Sequence, residues 1–139
     1  MHGKILAFIM AVFLIAPALS AAEERYLCAA EKSTGFKYSS NTKNWESVNF
    51  NVNQDKFVIT NSKLKDSKLE ITMIGEKDPI CHSRNGFNIY GNAYFKCIGG
   101  EFKFDKKTGR YLRSNNFGYI HGDEDNSTPY IEIGKCSPF

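Results

Sequence analysis

The densest run of polar chemistry in the sequence is His121-Gly122-Asp123-Glu124-Asp125-Asn126-Ser127. Asp123, Asp125 and Ser127 repeat the D-x-D-x-S oxygen spacing with which a tight turn can hold calcium, a hard cation that prefers carboxylate and hydroxyl ligands. An EF-hand loop counted from Asp123 needs glycine in its sixth position and glutamate in its twelfth, where this chain has Thr128 and Gly134. His121 with Asp123 offers a base and an orienting carboxylate for hydrolysis, but no G-x-S-x-G elbow supplies the nucleophile. The cluster reads as a solvated acidic turn, with His121, Asp123 and Asp125 as a weak candidate polar site. No metal and no cofactor is expected from it.

Other chemistry-bearing groups give weaker signals. His82-Ser83-Arg84-Asn85 follows Cys81 directly and reads as a polar turn beside a disulfide. Lys103, Lys106, Lys107, Arg110 and Arg113 alternate with aromatic residues, but in the manner of the solvent face of a hairpin, so nucleic acid is not an expected partner. Trp45, after Lys43-Asn44, fits core packing at the start of a strand better than a surface anchor. Asn126-Ser127-Thr128 matches the glycosylation acceptor pattern, which has meaning only in a eukaryotic secretory pathway.

The cysteines are more informative. Cys28, Cys81, Cys97 and Cys136 form an even set with no C-x-x-C pair, and the adjacency of Cys81 and His82 is poor geometry for two ligands on one metal. Two disulfides are expected. Three pairings are open from sequence. Cys81–Cys97, closing a local hairpin, and Cys28–Cys136, tying the two ends of the domain, are favoured.

Disulfides require an oxidising compartment, and the first residues supply the route to one. Met1-His2-Gly3-Lys4 is short and positively charged, Ile5 to Ile15 carries no charge, and Ala16-Pro17-Ala18-Leu19-Ser20-Ala21-Ala22 is rich in small residues. This is the pattern of a signal peptide cleaved after Ser20 or Ala22, and the apolar run is too short for a membrane span. Removing 22 of the 139 residues leaves 117, enough for a single β domain over residues 23–139. Lys4 is the only charged residue removed, so the formal net charge falls from +3 to +2. So small a charge gives no case for an anionic membrane surface or nucleic acid.

The elements that must position these groups are strands. Period-two alternation recurs between Gly, Asn, Asp and Pro clusters, and no sustained helical period is present. Tyr26–Lys32, Phe36–Tyr38, Ser47–Val52, Phe57–Thr60, Leu69–Met73, Phe87–Tyr90, Tyr94–Ile98, Glu101–Asp105, Arg110–Arg113, Phe117–Ile120 and Tyr130–Ile133 are strand candidates. Gly91-Asn92 and Asp105–Gly109 are expected hairpin turns. In the last strand, alternation sends Ile131 and Ile133 to the core and Tyr130 and Glu132 to solvent. Cys136 then faces outward unless a bulge at Gly134 turns it in. The expectation is an all-β fold, a small antiparallel β-barrel or sandwich of about eight strands with two disulfides.

Cys28 followed by Glu31-Lys32-Ser33-Thr34-Gly35-Phe36, then Trp45 and Phe50, resembles the start of a family of small exported proteins of Gram-negative bacteria. Gly100–Phe104, Arg110–Arg113, Gly118–Ile120 and the segment Thr128–Cys136, "TPYIEIGKC", resemble the second half of the same family. The resemblance is weakest over Asp55–Pro79. It implies a periplasmic or secreted bacterial protein and brings no activity, ligand or catalytic residue with it. Size and cysteine use are also similar to periplasmic lysozyme inhibitors, at the level of fold only.

The functional expectation is a non-enzymatic envelope protein, a binding or inhibitor-type module for an unidentified protein or envelope ligand. The alternatives are a structural or stress-related envelope component without a dedicated ligand, and a hydrolase centred on the His121–Asp125 loop.

Overall fold

The computed structural model describes residues 23–116, 119–122 and 128–139. The expected signal peptide, residues 1–22, therefore lies outside the described residues. So do Asp123, Asp125 and the Asn126 acceptor pattern, together with the side chain of His121.

Among the described residues nine antiparallel strands follow in chain order: β1 (Tyr26–Ser39), β2 (Asn44–Phe50), β3 (Lys56–Asn61), β4 (Leu69–Met73), β5 (Cys81–Ser83), β6 (Asn92–Cys97), β7 (Gly100–Asp105), β8 (Arg110–Asn115) and β9 (Tyr130–Pro138). The sheet order is β2-β1-β3-β4-β5-β6-β7-β8-β9, and β9 returns to pair with β1. Eight strands thus close a barrel, and β2 stays outside the ring as a ninth. Closure removes the open edges that a sandwich would leave. Among the described residues no helix is long and apolar enough to cross a membrane.

β1 is the hinge of this topology. Its first half pairs with β3 (Tyr26↔Ile59 to Ala29↔Lys56), and its second half pairs on the same side with β2 (Ser33↔Phe50 to Ser39↔Asn44). Its other side pairs with β9 from Tyr26↔Pro138 to Gly35↔Tyr130. Ser33-Thr34-Gly35 reads as a break between two strands, but the structure runs through it. What interrupts β1 is a bulge at Glu31, where the register with β9 shifts between Ala30 and Lys32. One extra residue reverses the facing of everything after it. Tyr26 and Cys28 point inward before the bulge and Ser33 after it, so Lys32 stays in solvent.

The interior is mostly aromatic. Phe57, Phe95, Phe102, Phe104, Tyr111 and Tyr26 are buried with Ile59, Ile71 and Leu69. Phe57 meets Phe102 and Tyr111 edge-on at 6.0 and 6.1 Å, and Phe102 stacks on Tyr111 at 4.5 Å. Offset and edge-to-face contacts of this kind let a few large rings fill a narrow barrel. Both expected disulfides are present, Cys28–Cys136 and Cys81–Cys97. Each joins residues directly opposite each other on neighbouring strands.

That pairing overturns the expected facing of β9. Cys28 is wholly buried, and its register partner Cys136 must share its face. Strict alternation back from Cys136 then buries Gly134 and Glu132 and turns Ile133 and Ile131 outward, 43% and 53% exposed. No bulge occurs in β9. The covalent constraint sets the parity against the hydrophobicity of the two isoleucines.

Three further elements differ from expectation. Phe87–Tyr90 forms no strand; Phe87 makes one bridge to Ala93, and Asn88–Gly91 turns, with the Asn88 Oδ1 accepting from the N–H groups of Tyr90 and Asn92. Tyr119–His121 is a 3-10 turn rather than part of a strand. Cys81–Ser83 is a strand, too short for its period to be read in the sequence.

Candidate functional site

Closing the barrel leaves one sheet edge open among the described residues, that of β2. The direction of its backbone follows from a single hydrogen bond. Phe36 N–H donates to the Pro129 carbonyl at 2.9 Å, so the backbone polar groups of Phe36 face the β9 side and not β2. In an antiparallel pair these directions alternate residue by residue. Thr34↔Asn49, Phe36↔Ser47 and Tyr38↔Trp45 are therefore non-hydrogen-bonded pairs. The N–H and C=O groups of Trp45, Ser47 and Asn49 point away from β1 towards the free edge. Asn44 Oδ1 accepts from the Trp45 N–H at 2.8 Å, which leaves Ser47 and Asn49 as the exposed rungs.

Natural edge strands are usually blunted by lysine, proline, a bulge or extreme shortness. Asn44–Phe50 has seven residues, no lysine and no proline. Its single charge, Glu46, accepts a hydrogen bond from the Thr42 hydroxyl at 2.7 Å. Trp45 is not a core residue. It lies half-buried between Tyr38 and Tyr119, at 5.6 and 5.2 Å, on the ribbon face that also carries the half-exposed Phe36.

A second cluster sits where the ribbon leaves the barrel. Glu132, only 2% exposed, accepts a hydrogen bond from the Tyr111 hydroxyl at 2.9 Å. Gly134 makes this possible, because a Cβ there would collide with the Tyr111 ring and the Ala29 carbonyl. The Arg113 guanidinium lies 5.1 Å from the Phe57 ring and 5.4 Å from the Tyr130 ring, and Asp55 approaches the Glu132 carboxyl. Burial raises the Glu132 carboxyl above its ordinary value, while the Tyr111 hydrogen bond and the charge of Arg113 oppose the rise. Burial, reinforced by the neighbouring Glu132, pushes the Tyr111 phenol up, so it remains a proton donor. Such a cluster can hold a proton and stiffen the mouth of the barrel.

The candidate loop of the sequence falls almost wholly outside the described residues. Of its three residues, Asp123, Asp125 and the side chain of His121 lie outside the described residues, and only the His121 backbone is placed, in the 3-10 turn. Among the described residues no group of three His, Cys, Asp or Glu side chains is disposed to hold a metal. Sequence reasoning misses Glu132, Tyr111 and Arg113. A signal for Glu132 was nevertheless there: period two puts it on the face of Cys136, and a buried disulfide carries it inside.

Comparison of the chain with protein-family models, with curated proteins and with solved structures found no match in any of the three.

Proposed function

We propose that this is an exported, non-enzymatic binding module of the Gram-negative cell envelope, periplasmic or secreted, which takes an extended segment of a partner protein along the free edge of β2. The observation that carries the reading is that edge: two outward-facing backbone rungs at Ser47 and Asn49, without a lysine or proline, on the strand that lies outside the closed ring among the described residues. Strand addition gives affinity through main-chain hydrogen bonds and selectivity through alternate side chains. The Trp45 face of the ribbon provides the apolar ground for such contacts. Two disulfides fit an oxidising compartment, and residues 1–22 have the pattern of the leader that would deliver the chain there.

Proline scanning of β2 tests the reading, because proline removes an N–H only from the side on which it points. Partners are captured from periplasmic extract with the wild-type protein, and the affinity of the main one is measured by calorimetry. Ser47→Pro and Asn49→Pro should leave the melting temperature nearly unchanged and abolish that binding. A partner bound equally well by both variants, or no saturable partner at all, overturns the proposal.

A further inference from the structure

The barrel wall has a seam between β5 and β6. The two strands pair through only two positions, Cys81↔Cys97 and His82↔Lys96. After Ser83 the chain leaves the sheet and meets β6 again at the Phe87↔Ala93 bridge and the Asn88–Asn92 hydrogen bonds. A cleft of about 1050 Å³ opens there, lined by His82, Ser83, Arg84, Asn85, Tyr94 and Lys96 among others. Neighbours in a strand normally face opposite ways. His82 and Ser83 nevertheless both border the cleft, at the point where the strand ends.

Hydrogen-bonding capacity in the cleft is unspent. His82 Nδ1 and Ser83 Oγ are buried without a partner, and Ser83 is only 1% exposed. A buried polar atom left alone is costly, so a pair of them at one place calls for a physical reason. The charges point the same way. Arg84 and Lys96 both line the cleft and, like most of the described lysines and arginines, make no ion pair with any described residue, so their charges are available there. Among the described residues the one carboxylate lining the cleft is Glu101, which lies opposite Lys96 on the neighbouring strand and is held by Lys103 at 3.1 Å. A hydroxyl, an imidazole, a guanidinium and an ammonium thus surround one space with donors and two positive charges. Their complement is a compact oxyanion with close to two negative charges.

We propose that the seam between β5 and β6 binds a phosphate monoester, with Arg84 and Lys96 neutralising it and the Ser83 hydroxyl and the His82 Nδ1–H donating hydrogen bonds to it at the floor of the cleft. The cleft is larger than a bare ion, and that favours a phosphate carried on a sugar or a lipid headgroup. This site is separate from the β2 edge and stands or falls independently of it.

Heteronuclear NMR of the intact oxidised protein reads the result. The probes are inorganic phosphate, glucose 6-phosphate, and phosphatidylcholine vesicles with and without phosphatidic acid, the last followed by flotation. Saturable shifts centred on the backbone amides of residues 82–85 and 94–96 are expected with a soluble phosphate. Arg84→Gln or Lys96→Gln should weaken binding about tenfold or more without changing the melting temperature. Tighter binding of glucose 6-phosphate than of phosphate assigns the sugar source, and flotation only with phosphatidic acid assigns the headgroup. Shifts that never saturate, that scatter over other lysines, or that survive both substitutions overturn the site, as does the absence of response to all three probes.

Discussion

Replacing Tyr111 with phenylalanine removes one oxygen from the interior and little else. The ring keeps its stack on Phe102 at 4.5 Å and its place over Gly134, so no cavity forms. What is lost is the 2.9 Å hydrogen bond to Glu132, whose carboxylate is then buried without that donor. A buried hydrogen bond to a charged group contributes about 1.5–3 kcal/mol and one between neutral groups about 0.5–1.5 kcal/mol. The expected cost is therefore about 2 kcal/mol where Glu132 is ionised and about 1 kcal/mol where it is protonated. The pH dependence has a fixed sign. Glu132 binds its proton more tightly in the folded state than at its unfolded value of 4.5, so its favourable contribution is complete below that value. It is lost as pH rises through the raised folded value. Glu132→Gln, which cannot ionise, should gain on wild type as pH climbs from 5 to 8, and Tyr111→Phe should lose. Urea unfolding of the oxidised proteins, followed by far-ultraviolet circular dichroism at pH 5 and pH 8, measures all three. A Tyr111→Phe penalty below about 0.5 kcal/mol at both pH values, or a Glu132→Gln difference that does not change with pH, refutes the reasoning.

The two disulfides should differ in weight. Cys28–Cys136 spans 108 residues and Cys81–Cys97 spans 16, so replacing the first pair with serine should cost about 4.7 kcal/mol and the second about 3 kcal/mol in denaturant unfolding. Gly134→Ala places a methyl group against the Ala29 carbonyl and the Tyr111 ring and should cost about 3 kcal/mol, read as a lower urea midpoint. Truncation after Gly134 removes Cys136 and the pairs that Lys135–Pro138 make with Tyr26–Ala29; the product should show no cooperative thermal transition in calorimetry.

Strand identity was legible wherever one face of a segment was apolar for five residues or more. Leu69, Ile71 and Met73 on β4, or Phe102 and Phe104 on β7, mark their own inner face. Legibility failed where another force outweighed hydrophobicity. On β9 the Cys28–Cys136 bond dictates parity and leaves two isoleucines outside with a glutamate within. On β1 a single bulged residue rejoins two apparent strands, and no side-chain type announces it. The free edge of β2 is a property of topology, visible only once β9 is seen to pair with β1. The orphaned His82 and Ser83 are adjacent in sequence and look like any polar turn; their burial comes from the strands on either side. The acidic loop, the most conspicuous chemistry in the sequence, lies outside the described residues from Asp123 to Ser127.

The pairing of β1 with β9 also imposes an order of events on the growing chain. Contacts between elements this far apart in sequence form late, because most of the chain must be confined before they are rewarded. Until Tyr130–Pro138 arrives, the long edge of β1 stands open beside that of β2, and Cys28 is an unpaired thiol. A polypeptide in that condition is at risk of sticking to its neighbours or of forming a wrong disulfide with Cys81 or Cys97. Maturation is thus best completed after the whole chain has reached an environment with both an oxidant and a means of reshuffling sulfur bonds. The last strand acts as a latch whose closing reports that nothing upstream is missing.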